Sequence, residues 1–313
     1  MRLVDVHVHA LPSAYVTGLL ELGLNTEATD GFPEPAWSEE DHLAFAHAAG
    51  DAYQILSISS PHPHAGDADQ AARIASGIND ELASLCRRYP KTFGFAAVLP
   101  LPSVPQTLEE LNRAYDELGA LGVKVPSNAL GTYLGDPEFD SVLEALERRR
   151  AVVTIHPCAP QAVPGGCFTA GPKPLFEFLT DTTRLVLNLV MHAVPSRYPH
   201  VSWVVPHAGS FVPEVVHRLE GITQILAPQG KIPRVNVFDE VGRLYFDLAG
   251  DVQPVMLEAL LKIARPDHLL YGSDYPYTPA PIALRKRDAL FSDPLLAGHV
   301  EDVAWRNATR LYL

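Results

Sequence analysis

Cysteines and basic residues are scarce in this chain. Its 313 residues include 3 cysteines, and no two of these have the C-x-x-C spacing of redox and zinc motifs. This excludes a disulfide framework and fits a reducing compartment. The 24 lysines and arginines are outnumbered by 37 acidic residues, and the resulting net charge of −13 disfavours binding to nucleic acid or anionic membranes.

Long apolar runs and nucleotide-binding glycine motifs are also missing. No stretch of about 18 apolar residues could span a bilayer, and the N-terminal MRLVDVHVHA has no signal-peptide core. We therefore expect a cytoplasmic protein without membrane contact. No G-x-G-x-x-G motif follows an apolar run, which disfavours a doubly wound dinucleotide-binding sheet. We expect no organic cofactor.

Short apolar runs instead alternate with helical patterns along the whole chain, of which 47% is hydrophobic. The predicted strands are 3–8, 53–58, 93–98, 122–125, 151–155, 201–205, 243–248 and 268–271. The predicted helices are 38–50, 67–89, 107–118, 137–149, 174–197, 212–226 and 252–263. Eight such units without a composition shift predict a single α/β domain over 1–313, a (β/α)8 TIM barrel. Long loops follow strands 1 and 5, at 10–37 and 157–173.

The first strand carries polar side chains on one face. In Asp5-Val-His7-Val-His9, side chains alternate, so the two imidazoles share a face with Asp5 while the valines occupy the other. In a barrel, that polar face points inward at the mouth where ligands bind. Asp5 is predicted to orient an imidazole or the strand.

Three further strands end in polar side chains. His156 ends strand 5, His207 ends strand 6 and Asp274 ends strand 8. Each could be a satisfied buried residue, but five such groups in one low-dielectric space are costly without a shared positive partner. Imidazoles with one carboxylate predict a metal site suited to Zn²⁺, with Mn²⁺ or Fe²⁺ as alternatives.

Other side chains are candidates for substrate contact. Aromatic residues surround the predicted mouth, and His62 and His64 could contact substrate or lie in a plain loop. Arg184 is either an ion-pair partner or a pocket residue. The candidate substrate-binding residues are Trp37, His62, His64, Phe168, Arg184 and Tyr275, with Tyr277 as a further aromatic. Cys158 and Cys167 lack a paired base and are predicted to be neutral lining.

The motifs together resemble those of the amidohydrolase superfamily, in its metal-dependent decarboxylase branch. They are Asp5-Val-His-Val-His9, Thr154-Ile-His-Pro157, Pro206-His-Ala-Gly209 and Tyr271-Gly-Ser-Asp-Tyr-Pro276. Within that branch, the segments 35–39, 56–61 and 181–184 are most similar to the 6-methylsalicylate decarboxylases. The resemblance implies that His7, His9, His156 and Asp274 bind the metal. It implies that His207 is catalytic, as is Asp274, and that the protein forms a homodimer.

The resemblance also implies a reaction. It indicates non-oxidative decarboxylation of a small aromatic carboxylate, in which the carboxyl-bearing ring carbon is protonated and CO₂ leaves. No match is found for the arginines with which the semialdehyde decarboxylases of this branch hold a second carboxylate, so a dicarboxylate is disfavoured. The alternative is a hydrolase of a lactone or amide that uses metal-activated water. A non-enzymatic metal-binding regulator is a third hypothesis.

Overall fold

The computed structural model describes residues 2–163 and 171–313. Eight parallel strands form one sheet in chain order, so each strand pairs with its successor. The strands are β1 Val4–His9, β2 Tyr53–Ser57, β3 Phe93–Val98, β4 Gly122–Pro126, β5 Val152–His156, β6 Ser202–Val205, β7 Tyr245–Asp247 and β8 Leu269–Leu270. Their bounds lie within two residues of the predicted ones.

The sheet closes between its first and last strands. The amide of Val6 donates to the carbonyl of Tyr271 at 3.0 Å, and the amide of His9 donates to the carbonyl of Tyr275 at 2.7 Å. The predicted (β/α)8 barrel is therefore confirmed. The carboxyl ends of all eight strands meet at one rim, where barrel enzymes place their sites.

Helices surround the barrel. The α-helices are α1 Ser13–Glu21, α2 Thr26–Asp30, α3 Glu39–Ala48, α4 Ala68–Arg88, α5 Val104–Asp116, α6 Asp140–Arg148, α7 Glu177–Met191, α8 Val194–Arg197, α9 Val212–Leu226, α10 Val237–Val241, α11 Val255–Leu260, α12 Ala280–Phe291 and α13 Asn307–Tyr312. Short 3₁₀ turns occupy Pro137–Phe139, Lys173–Leu175, His207–Gly209, Ala227–Gln229, Pro266–His268 and Pro294–Leu296, and a π-helical turn occupies Asp302–Arg306. In the described part of the chain, none of these helices combines the length and the apolar character of a membrane span.

Helices α10, α12 and α13 lie outside the predicted elements, and two further segments also differ from the prediction. The predicted helix 174–197 is divided, because Ala193 adopts a left-handed φ of 52° and Pro195 has no amide hydrogen with which to continue α7. The connection after β1 contains α1 and α2 rather than a plain loop. The side chain of Asn25 caps α2 by accepting from the amide of Ala28 at 2.7 Å.

The connection after β1 packs tightly on the barrel. Helix α1 lies against α4, and at Gly18 an added Cβ would stand 2.4 Å from Cγ2 of Ile74. The small residue therefore permits the close approach of the two helices. This contact positions α2, which follows α1 and forms part of the rim above the strand ends.

Candidate metal centre and active-site cavity

Three histidines converge at the carboxyl rim of the barrel. His7 and His9 come from β1 and His156 ends β5, and all three side chains are buried. One ring nitrogen from each lies within 4.8 Å of the others. The structure thus brings together the three histidines of the predicted metal site.

Hydrogen bonds fix which nitrogen each ring presents. Nδ1 of His156 donates to the carbonyl of Pro157 at 2.8 Å, so its Nε2 carries a lone pair. Nδ1 of His7 lies 2.9 Å from Oδ2 of Asp247 and donates to that carboxylate. Nδ1 of His9 lies 3.3 Å from the hydroxyl of Ser57. All three rings therefore direct Nε2 toward the common centre.

Asp274 completes the donor set. Its Oδ1 lies 3.3 Å from Nε2 of His9 and 3.6 Å from Nε2 of His7, although it follows β8 at the other side of the barrel seam. Its φ of 59° is left-handed, a conformation that costs strain in a residue with a side chain and recurs at functional sites. This backbone conformation directs the carboxylate of Asp274 toward His7 and His9.

The donor set fits a divalent cation. Nε2 of His156 lies 3.2 Å from Nε2 of His9. If both rings were neutral with Nδ1 protonated, the lone pairs of the two Nε2 atoms would repel each other unless a positive ion or a proton lay between them. Nε2 of His7 is buried and has no hydrogen-bond partner among residues 2–163 and 171–313. A cation with nitrogen and carboxylate ligands would satisfy all of these atoms at once.

Burial and charge control the protonation of these rings. Burial lowers the pKa of His9 to about 4, and it lowers the pKa of His156 well below its usual value. Burial opposes protonation of His7, but the charge and hydrogen bond of Asp247, together with the charges of Asp274 and Asp5, outweigh it and raise the pKa of His7 to about 9. For Asp274, burial is outweighed by the hydrogen bond with His9 and the charge of His7, and its pKa falls to about 2. Asp274 is thus ionised, as a metal ligand must be.

His207 stands beside this centre. Its ring centroid is 4.9 Å from that of His7, and its Nδ1 lies 3.2 Å from the carbonyl of Ala249, to which it donates. This leaves Nε2 available to a ligand. His207 and Ala208 both have left-handed φ values, and at Gly209 an added Cβ would stand 3.1 Å from Cδ1 of Phe246. The turn after β6 is therefore shaped to hold this imidazole at the rim.

Asp247, at the end of β7, was not among the site residues predicted from the sequence. Its Oδ2 holds His7, while its Oδ1 accepts from the amides of His207 and Ala249, each at 3.1 Å. The carboxylate thus orients a candidate ligand and the backbone of His207 together. Asp247 could have been identified from the sequence as a carboxylate at the end of an apolar strand. The same pattern identified Asp274.

Asp5 performs one of its two predicted roles. Its Oδ1 accepts from the amide of Ser273 at 3.0 Å and from the amide of His7 at 3.3 Å, so it orients the strand rather than an imidazole. Burial raises the pKa of Asp5 to about 7. The residue ties β1 to the segment that carries Asp274.

A cavity of about 440 Å³ opens over the centre. His156, His207 and Asp274 contribute to its floor and sides, and the remaining wall combines aromatic, aliphatic and polar side chains. The other lining residues are Thr26, Asp30, Phe32, Ser59, Ser60, Pro174, Leu175, Phe178, Leu179, Ala249, Gly250, Asp251, Val252, Met256, Tyr277, Thr278 and Lys286. This volume lies in the usual range of small-molecule pockets and has room for a substituted ring.

Two of the predicted aromatic contacts lie behind the cavity wall. Trp37 is half-buried and its Nε1 donates to Nδ1 of His42 at 2.8 Å. Tyr275 stacks on Phe45 with ring centroids 4.1 Å apart. Neither Trp37 nor Tyr275 lines the cavity, because both turn toward α3, whereas Tyr277 does line it.

His62 and His64, which were candidates for substrate contact, form hydrogen bonds with other parts of the protein. Nε2 of His62 lies 3.0 Å from the carbonyl of Leu101, and Nε2 of His64 lies 3.0 Å from the hydroxyl of Ser103. Both histidines therefore face the connection after β3 rather than the cavity.

Arg184 and the two cysteines lie away from the cavity or outside the described residues. Nη1 of Arg184 lies 3.5 Å from Oδ1 of the buried Asp181, and nearly half of the arginine side chain is exposed, so it is an ion-pair partner. Cys158 is buried, which raises the pKa of its thiol and disfavours the nucleophilic thiolate. Phe168 and Cys167 lie outside the described residues.

The position of Trp37 leads to a testable expectation. Trp37→Phe deletes the donor to the buried His42 and should lower the free energy of unfolding by about 1–3 kcal/mol. Denaturant titration measures this loss. Because the indole does not line the cavity, kcat/KM on an aromatic acid should change by less than about twofold, well under the tenfold that 1.4 kcal/mol represents. Unchanged stability with a tenfold higher KM would instead place the indole on the substrate.

Comparisons with known proteins agree with this geometry. The amidohydrolase family model matches residues 4–313. A 6-methylsalicylic acid decarboxylase of Aspergillus aculeatus is 31% identical over 293 residues, which cover 90% of this chain and 86% of that protein. A crystal structure of an amidohydrolase II is 36% identical and superposes with a TM-score of 0.93 over 99% of both chains.

A third comparison concerns a structure that holds a metal. The 5-carboxyvanillate decarboxylase of Novosphingobium aromaticivorans, complexed with manganese and 4-hydroxy-3-methoxy-5-nitrobenzoic acid, has a TM-score of 0.87. It is 21% identical, and the superposition covers 99% of this chain and 95% of that one, so it shows the shared fold. From the match over nearly its whole length, and as its histidine and aspartate motifs predicted, the chain belongs to the amidohydrolase family.

Proposed function

We propose that this protein is a metal-dependent decarboxylase of small aromatic acids that carry a hydroxyl ortho to the carboxylate, as in 6-methylsalicylate. The observation that carries the proposal is the convergence of His7, His9, His156 and Asp274 beneath a ring-sized cavity with His207 at its side. The 31% identity to a 6-methylsalicylic acid decarboxylase, over 90% of this chain, supports the same chemistry.

The proposed metal ligands are Nε2 of the three histidines and the carboxylate of Asp274. Zn²⁺ suits this donor set, and Mn²⁺ and Fe²⁺ are the alternatives. When bound, the ion supplies positive charge that attracts the substrate carboxylate and polarises the ortho hydroxyl. Asp247 keeps His7 in the tautomer that can bind it.

Asp274 is placed to move a proton. Because its carboxylate is ionised before substrate binds, we assign it the proton of the ortho hydroxyl, which it transfers to the ring carbon that bears the carboxylate. A C–H bond forms there, the bond to the carboxyl carbon breaks, and its electron pair restores the aromatic ring as CO₂ leaves. His207 donates from Nδ1 to the carbonyl of Ala249, so its Nε2 can take up a proton from solvent and return it to the phenolate product.

The cavity wall matches one carboxylate and one ring. Phe32, Phe178 and Tyr277 supply aromatic faces and edges. Among the described lining residues, Lys286 is the only lysine or arginine, and its Nζ is already paired with Asp251 at 2.9 Å. A second carboxylate would find no free cation in this wall, which favours a monocarboxylate.

We further propose that the protein is a cytoplasmic homodimer and a single domain over 1–313. The excess of acidic residues and the few cysteines support the location, and the family resemblance supports the dimer.

Isotope incorporation tests the reaction. The purified protein, stripped with a chelator and reloaded with Zn²⁺, Mn²⁺ or Fe²⁺, should convert 6-methylsalicylate to CO₂ and m-cresol only when reloaded. In D₂O the product should carry deuterium at the carbon that lost CO₂, because that carbon is protonated in the reaction. Mass spectrometry and NMR measure both outcomes. Opening of a lactone by the reloaded protein, without decarboxylation of any ortho-hydroxybenzoate, would identify the hydrolase instead.

A further inference from the structure

A group of polar side chains in the cavity has no role in the proposed reaction. Thr26, Asp30, Ser60 and Tyr277 all line the cavity, and we call them the polar corner. Thr26, Asp30 and Ser60 are at most 2% exposed. None of the four belongs to the histidine and aspartate donor set.

The polar corner lacks well-formed hydrogen bonds within residues 2–163 and 171–313. Ser60 faces Asp30 and Thr26 faces Tyr277, but neither pair forms a hydrogen bond of good geometry. The atoms concerned are Thr26 Oγ1, both carboxylate oxygens of Asp30, Ser60 Oγ and the hydroxyl of Tyr277. A buried polar group without a partner costs about 1–3 kcal/mol, and a charged one costs more. Several such atoms facing one cavity therefore indicate a ligand group that satisfies them.

Three separate connections build the polar corner. Thr26 and Asp30 are the first and last residues of α2, after β1, while Ser60 follows β2 and Tyr277 follows β8. The cap at Asn25 stabilises the start of α2, and the contact of Gly18 with α4 fixes α1, which precedes α2 in the chain. The convergence thus depends on the tertiary fold rather than on neighbours in sequence.

The chemistry of Asp30 restricts what can bind. Burial raises its pKa to about 6, and Ser60 and Lys124 oppose that rise, so the group is mostly ionised near neutral pH. An ionised carboxylate accepts hydrogen bonds and cannot donate them. Asp30 would therefore repel a carboxylate or phosphate. A methyl group at the same place would leave the buried charge of Asp30 without a hydrogen bond.

We propose that the polar corner binds a second hydroxyl of the aromatic acid, with Asp30 accepting its hydrogen bond and Thr26, Ser60 and Tyr277 completing the contacts. This inference rests on the proposed decarboxylase function and specifies its substrates as ortho-hydroxybenzoates with a further ring hydroxyl. A site built to bond a hydroxyl discriminates far more strongly against an analogue without it than an apolar pocket does.

A matched substrate series tests the inference. The parent is 6-methylsalicylate, and its analogues carry either a hydroxyl or a methyl at ring position 3, 4 or 5. We expect one hydroxyl analogue to exceed its methyl counterpart by about 100-fold or more in kcat/KM. Asp30→Leu, which is close in size and apolar, should reduce this ratio to below about tenfold. Asp80→Leu replaces an exposed carboxylate on α4, outside the cavity, and should leave the ratio unchanged.

Binding of the product-like phenols keeps the test independent of turnover. Calorimetry should show that the metal-loaded protein binds one of the three products, a methyl-substituted catechol, resorcinol or hydroquinone, more tightly than m-cresol, and that Asp30→Leu removes the difference. Should that variant not fold, Asp30→Asn and Ser60→Ala provide the same comparison. Equal kcat/KM for all hydroxyl and methyl pairs would overturn the inference and leave the decarboxylase intact. Selective phenol binding without any decarboxylation would overturn the reaction instead.

Discussion

His156→Ala is expected to lose both the metal and all detectable decarboxylation, whereas His207→Ala should retain the metal and lose about 10²–10⁴-fold in kcat. The difference follows from their positions. Nε2 of His156 faces Nε2 of His9 at 3.2 Å, so removing it leaves an incomplete donor set. His207 is absent from the three-histidine cluster and contacts the cavity from the side. Metal analysis of each purified variant and steady-state kinetics measure the two effects.

His47→Ala is the matched control for these two variants. Its side chain is 83% exposed and pairs with Asp51 on the surface, so metal content and kcat should remain at wild-type values. The ligand assignment fails if His207→Ala loses the metal while His156→Ala retains it.

Asp247→Asn is expected to weaken metal affinity by about 10–100-fold, the usual effect of losing a carboxylate that orients a ligating histidine. The amide has the same shape but lacks the charge that favours donation from Nδ1 of His7. Because the other oxygen also anchors the amides of His207 and Ala249, kcat should fall even when metal is saturating. Competition with a chelator gives the affinity, and kinetics at high metal concentration give kcat.

Asp251→Asn serves as the comparison for Asp247→Asn. Its carboxylate also lines the cavity but pairs with Lys286 and does not contact the histidines. Metal affinity at the wild-type level in Asp247→Asn would contradict the orienting role.

The barrel and its polar rim follow from local patterns. Strands of alternating or continuous apolar residues determine the sheet, and an inward-facing polar side chain at the carboxyl end of a strand lies at the rim. This is why His7, His9, His156 and Asp274 could be placed together before the structure was known. Asp247 obeys the same rule, but the predicted strand 243–248 continues past it to Leu248, so it did not stand out as a strand end.

The walls of the cavity could not be predicted in this way. Trp37 and Phe32 both lie in the connection after β1, yet only Phe32 lines the cavity, because α2 and the hydrogen bond to His42 determine where that connection turns. Asp30 lies in the segment 10–37, which was predicted only as a long loop. Its location over the rim depends on packing between α1 and α4, which no spacing along the chain encodes.

The candidate ligands lie on both sides of the seam where the barrel closes. His7 and His9 belong to the first strand and leave the ribosome early, while Asp274 follows the last strand. A nascent or truncated chain therefore offers only part of the donor set, and the complete set arises when β8 has docked beside β1. Under the proposed ligand assignment, tight metal binding therefore requires β8 docked beside β1, and a chain truncated before Asp274 should bind the metal only weakly.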